Sequence, residues 1–192
     1  PMAIPMVGGM AVQIMRSGTY LQPGEKTTCV GCHESRSSAP PMAKSIAQRR
    51  SPSRIIPGPD GSKPLSYPIL VQTVLDRRCV SCHGASLPAG GIALTGEPEG
   101  HYTKSYNVLA PRVPFSDMDN GEPLSKPDRY GARASGLMKM LLNGHQGVTL
   151  TREEIHRLAT WMDVSVLFYG TFDPEEQNRQ RLGMRIKGPR LE

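Results

Sequence analysis

Large apolar side chains are scarce in this chain. Only 5% of the 192 residues are aromatic and 38% are hydrophobic, whereas 20 glycines and 18 prolines make up about a fifth of it, against a usual share of roughly 12%. A chain so poor in bulky side chains and so rich in turn formers makes a thin protein core, and something other than protein is expected to help fill its interior. No run approaches the ~20 apolar residues of a membrane span, so a transmembrane helix is not expected. The apolar opening, residues 1–15, lacks a basic leader and is broken by Pro1, Pro5, Gly8 and Gly9, which does not describe a signal peptide. Because the chain begins at Pro1 rather than Met, it reads as a processed or partial product whose export signal was removed or lies upstream.

Nor is there a concentrated basic stripe. The 23 Lys and Arg against 17 Asp and Glu give a formal charge of +6. They are scattered over Arg49-Arg50, Arg77-Arg78 and a tail of Arg179, Arg181, Arg185, Lys187 and Arg190, without interleaved aromatics. That distribution argues against a nucleic-acid partner.

No cysteine is left over. Cys29 and Cys32 are completed by His33, and Cys79 and Cys82 by His83, into two Cys-x-x-Cys-His motifs that consume every thiol. Thiols spaced by three residues sit about one helical turn apart on one side of the backbone. They can add to the two vinyl groups on one porphyrin edge, and the adjoining histidine then ligates the iron. Two covalently bound haem c groups are therefore expected. Their propionates would offset about four of the positive charges, leaving the loaded protein near neutral. Zinc ribbons usually separate their cysteine pairs by about 15–20 residues; here 46 residues lie between Cys32 and Cys79. A thioredoxin-like pair needs a βαβ context that the sequence lacks.

Along the chain, residues 1–28 read as extended, with a strand-like run at Met10–Met15 and a turn at Gln22–Glu25. Residues 35–68 form a Pro/Ser/Gly/Arg-rich connector broken by a short helix at Ala43–Arg49. From Ile69 to Arg78 the apolar spacing is helical, through Leu70, Val71, Val74 and Leu75, and the helix runs into Cys79. Residues 84–134 read mostly as loop. Ser135 caps a helix over Leu137–Leu142 that Gly144 ends, and Thr151 with Glu154 forms a capping box. Ile155, Leu158, Ala159, Met162 and Val166 then make one apolar face.

The expected fold is mainly α and loop-rich. Residues 1–60 are an irregular region carrying the first haem. Residues 61–172 are a small cytochrome c-like domain carrying the second, and residues 173–192 are a polar basic tail suited to packing on a neighbour.

Each iron has room for a sixth ligand, for which His101, His145, His156 and the methionines are the candidates within the chain. His145 follows a helix stop and can reach into a cleft. His156 lies off the apolar face and reads as a solvated residue. His101, in a Glu-Pro-Glu-Gly-His turn, reads first as a surface histidine and second as a ligand of the first iron. Of ten methionines, Met10 and Met42 flank the first motif, and the others read as core filler. Asp117, Asp119, Asn120 and Glu122 bunch oxygens without EF-hand spacing, so a plain turn is the reading there. Trp161 suits a place against a haem or in ordinary core.

Three stretches carry a family likeness: MAVQIMRSGTYLQPGEKTTCVGCHE, PILVQTVLDRRCVSCHG, and LLNGHQGVTLTREEIHRLATWMD followed by FYGTF. With these the chain resembles the haem-bearing C-terminal part of the hydrazine synthase alpha subunit and its dihaem relatives. The resemblance implies a bis-histidine, electron-passing second haem, with His83 proximal and His145 distal. The family's enzyme also has an active-site haem at the first motif, with a tyrosine four residues past the motif histidine. That position is Ser37 here, and neither the family's propeller domain nor its partner subunits are in this chain, so hydrazine synthesis is not implied.

Electron transfer in the periplasm or outside the cell is the expected function. Redox proteins or copies of the chain itself, in a homo-oligomer or filament, are the expected partners. The rival is a haem enzyme with an open first iron, acting on peroxide or small nitrogen compounds.

Overall fold

The computed structural model describes residues 2–3, 6–16, 22, 24–25, 35, 37–39, 46–52, 54, 56–115 and 126–188. The chain divides into two compact units, one of Pro1–Met2 with Arg16–Ile56, the other of Ala3–Met15 with Pro57–Glu192.

In the smaller unit the expected turn forms: Glu25 N–H donates to the Gln22 carbonyl at 3.0 Å, with Gly24 at φ +78°. Ser35 organises a second turn, its hydroxyl 2.7 Å from that of Ser37. The helix expected over Ala43–Arg49 is described only as a 3-10 turn at Ile46–Arg49.

The larger unit opens with a hairpin of β1 (Met6–Val7) and β2 (Met10–Ala11), antiparallel with Met6 opposite Ala11. Gly8 and Gly9 both take positive φ between them, as a two-residue hairpin turn requires. The run expected over Met10–Met15 is thus a strand only at its ends, Met10–Ala11 and Met15–Arg16.

The helix predicted from Ile69 begins one residue earlier, as a π-helical turn Pro68–Gln72 that passes into α1 (Thr73–Arg78). Leu70, Val71, Val74 and Leu75 are all buried. Residues 84–134 hold more structure than expected. A second hairpin, β3 (Pro98–Glu99) with β4 (Tyr102–Thr103), leads into α2 (Lys104–Leu109), and α3 (Gly131–Ala134) follows. Ser135 caps α4 (Gly136–Asn143) by accepting the Met138 N–H, and Gly144 ends it at φ +95°. The Thr151–Glu154 capping box starts α5 (Arg152–Asp163).

These elements close around one core. Tyr67 stacks on Phe168 at 5.4 Å and meets Trp161 edge-on at 5.2 Å, with Tyr106 against all three. Each such side chain contributes on the order of 2 kcal/mol by burial. Trp161 therefore belongs to this core. Asp163, at the end of α5, ties the N-terminal hairpin to α3: its carboxylate accepts the Ala11 and Ala132 N–H groups, each at 2.8 Å.

The polar tail contains α6 (Pro174–Arg181), capped by Asp173. It packs on its own chain. Buried Gln180 accepts from Gly170 N–H and donates to the Leu65 carbonyl, both at 2.9 Å, and Arg185 grips Asp60 through two 2.7 Å bonds. Among the described residues no helix is long and apolar enough to cross a membrane.

Candidate functional site

The second Cys-x-x-Cys-His motif continues the helix that precedes it. Cys82 and His83 N–H groups donate to the Cys79 carbonyl at 3.1 and 2.8 Å, which wraps residues 79–83 into one helical turn. Side chains three residues apart on such a turn face the same way. Both thiols are free, Cys79 half-buried and Cys82 exposed. Burial, followed by the nearby Glu154 carboxylate and Cys82, pushes the Cys79 thiol above its usual pKa. A raised value is the opposite of the lowered one that activates an attacking thiol.

Three hydrogen bonds fix His83. Besides its own N–H, its carbonyl accepts Leu94 N–H at 2.8 Å, and its ring Nδ1 lies 3.0 Å from the Ile92 carbonyl. A carbonyl can only accept, so Nδ1 carries the proton and Nε2 keeps its lone pair for a metal.

His145 is set by a tight turn. Val148 N–H donates to the His145 carbonyl at 2.8 Å, with Gln146 and Gly147 both at positive φ. The turn brings the His145 ring opposite His83, with ring centroids 6.1 Å apart and planes 18° from parallel. That separation suits two imidazoles flanking one metal atom through bonds of about 2.0–2.1 Å. Among the described residues no group of three or more His, Cys, Asp or Glu gathers that could hold a metal ion. Two imidazoles alone do not satisfy tetrahedral zinc, but they fit an iron whose equatorial positions a macrocycle fills. Half-buried Cys79, Ile92, Leu141, Leu150 and Ile155 lie in the same segments and join the core edge, an apolar setting for such a group.

Glu154 braces the motif from α5. It accepts from Arg77 at 3.1 Å and from Arg78 at 3.0 Å, with its own side chain only 3% exposed. Burial raises its pKa, but the Arg78 hydrogen bond and the Thr151 cap outweigh that and bring it down to about 2.

The remaining histidines stand apart. His156 is exposed on α5, and His101 is exposed at the tip of the second hairpin, its carbonyl accepting the Tyr169 hydroxyl. Met10 is partly buried and packs against the core of the larger unit. Cys29, Cys32, His33, Met42 and the Asp117–Glu122 turn lie outside the described residues. Ser37 is exposed beside Ser35. Two contributors were not singled out from sequence: Ile92, whose backbone orients His83, and Arg78, which pairs with Glu154. Backbone acceptors leave no residue-type signal. The Arg77-Arg78 doublet directly before Cys79 was the available clue for the ion pair.

Residues 6–34, including the first Cys-x-x-Cys-His motif, match the family model described as the hydrazine synthase alpha subunit middle domain. The stretches that carry His83 and His145 lie beyond that match. No curated protein and no solved structure matches the chain.

Proposed function

We propose that this chain is a dihaem c-type cytochrome that passes electrons outside the cytoplasm, with haem c joined at Cys29 and Cys32 under His33 and at Cys79 and Cys82 under His83. The observation that supports this reading is the His83–His145 pair, ring centroids 6.1 Å apart, beside the two free thiols of Cys79 and Cys82. When bound, haem supplies a one-electron ferric–ferrous couple. The turn at 79–83 presents both thiols and the proximal imidazole together. The Ile92 carbonyl holds the His83 tautomer, and the turn after α4 holds His145. Two fixed imidazoles keep the coordination alike in both oxidation states and leave no open position at that iron. The order of helix into motif, loop carrying His145 and closing helix α5 supports reading this unit as cytochrome c-like. Its partners are redox proteins or further copies of the chain.

Acid-acetone extraction and intact mass test the reading. Two haems should remain on the chain, raising its mass above 20.9 kDa accordingly, and the ferric protein should show low-spin haem. Haem lost to the solvent from either motif overturns it. The match of residues 6–34 to an enzyme subunit favours a second reading, a haem enzyme with an open first iron, which carbon monoxide binding distinguishes.

A further inference from the structure

We propose that Gln72 is a positioning residue for the haem ligand His83, acting through the backbone of Leu94; the inference rests on His83 being an iron ligand. Gln72 is 6% exposed, in the π-helical turn that opens the motif helix. Its Nε2 donates to the Leu94 carbonyl at 3.0 Å, and the N–H of that same Leu94 donates to the His83 carbonyl at 2.8 Å. Two residues earlier, the Ile92 carbonyl accepts from the His83 ring. One short strand of backbone thus grips the ligand at main chain and ring, and Gln72 is the buried side chain that anchors it.

The carboxamide is itself held from both ends. Asp76 accepts from Nε2 at 2.7 Å, while Ser105 Oγ donates to Oε1 at 2.6 Å and accepts from the Tyr67 hydroxyl at 3.1 Å. Ser105 and Tyr67 are fully buried. Gly96 leaves the room: a Cβ there would lie 2.9 Å from Gln72 Cγ. A buried network whose polar atoms are all paired rigidifies what it touches. Here the part touched is the Leu94 backbone, two residues from the Ile92 carbonyl that accepts the Nδ1 proton, and that ring hydrogen bond raises the basicity of Nε2 toward iron.

The test is Gln72→Met, which keeps shape and removes the hydrogen bonds, with Gln180→Met as control. Gln180 is equally buried and bridges two backbone groups, Gly170 N–H and Leu65 carbonyl, away from the motif. Both variants should melt lower. Only Gln72→Met should shift the ferric–ferrous equilibrium of the second haem, about tenfold toward ferrous, or 59 mV for one electron. Ser105→Ala, which frees only one end of the carboxamide, should move it the same way by less. The wave of the second haem is the one displaced in His145→Ala. Intact mass of the wild-type chain is read first: no haem on Cys79 and Cys82 overturns the functional reading and this inference together. Haem in place with the Gln72→Met and Ser105→Ala potentials equal to the Gln180→Met value overturns the inference alone.

Discussion

The ring centroids of His83 and His145 lie 6.1 Å apart with their planes 18° from parallel, one on the turn after α1 and the other on the turn after α4. Neither helix carries both, so the pairing is made by the common core into which Val74, Leu75 and Met138 pack. Removing His145 should leave attachment untouched, because the thioether bonds depend only on residues 79–83. His145→Ala is expected to turn one low-spin haem high-spin, with both haems still on the chain by mass. His156→Ala, on the exposed face of α5, should leave the spectrum as it was. The reverse outcome would show that the ligand was wrongly assigned.

Glu154 makes acid stability measurable. Its carboxyl titrates near 2 in the folded chain and near 4.5 when free. A depressed value means that its stabilisation is complete above the free value and lost as pH falls toward the folded one. Between pH 4.5 and 2 the wild type should lose on the order of 2 kcal/mol through this group. Asp163 works in the opposite direction. Burial raises its pKa despite the hydrogen bonds from Ala11 and Ala132, so its contribution is present at low pH and fades as pH rises through that raised value. Urea unfolding of wild type and Glu154→Gln across pH 2.5–6 (a range set by these values) isolates Glu154. The variant curve should be flatter in acid, and parallel curves would refute the ion pair.

Gly131 has φ +70°, and a Cβ there would fall 2.3 Å from Asp163 Oδ1. Alanine would suffer the left-handed backbone and also push away the carboxylate that ties the N-terminal hairpin down. Gly131→Ala is expected to cost on the order of 3 kcal/mol. Gly136→Ala, where nothing lies within 4 Å, should be near neutral or slightly stabilising. Thermal melts of the two variants check the contrast.

Where local chemistry decides structure, the sequence was legible. The Ser135 and Thr151 caps, the Gly144 stop and the apolar spacing of residues 70–75 each name their own partners within a turn, and those helices appear where expected. Helix α2 was not legible. Its residues, KSYNVL, include four weak helix formers, and it is held by buried Ser105 and Leu109 and by the Tyr106 hydroxyl on the Val166 carbonyl at 2.7 Å. Packing overrides propensity there. The same holds for α6, whose polar sequence suggested an arm suited to packing on a neighbour but whose Gln180 reaches back to Leu65 and Gly170. At the site, the motif histidine can be read from sequence. Its orientation cannot, because it is set by the carbonyl of Ile92.

The first haem decides between carrier and enzyme. An electron carrier benefits from two fixed axial ligands, which keep geometry alike in both redox states and leave substrate nowhere to bind. An enzyme acting on peroxide or a small nitrogen compound needs one axial position open. The resemblance to the hydrazine synthase alpha subunit, whose family model matches residues 6–34, implies a family tyrosine at the position of Ser37. Ser37 is exposed, and its hydroxyl is engaged with Ser35 at 2.7 Å. A serine there supplies no phenol. The cap on that iron is expected from far along the chain, His101 first and then Met42, or from a residue of another copy. The expected outcome is therefore a six-coordinate first haem. Carbon monoxide added to the fully reduced protein should bind neither haem, while His145→Ala should gain one stoichiometric site. Stoichiometric binding in the wild type, together with turnover of peroxide or hydroxylamine, would make the protein an enzyme rather than a carrier.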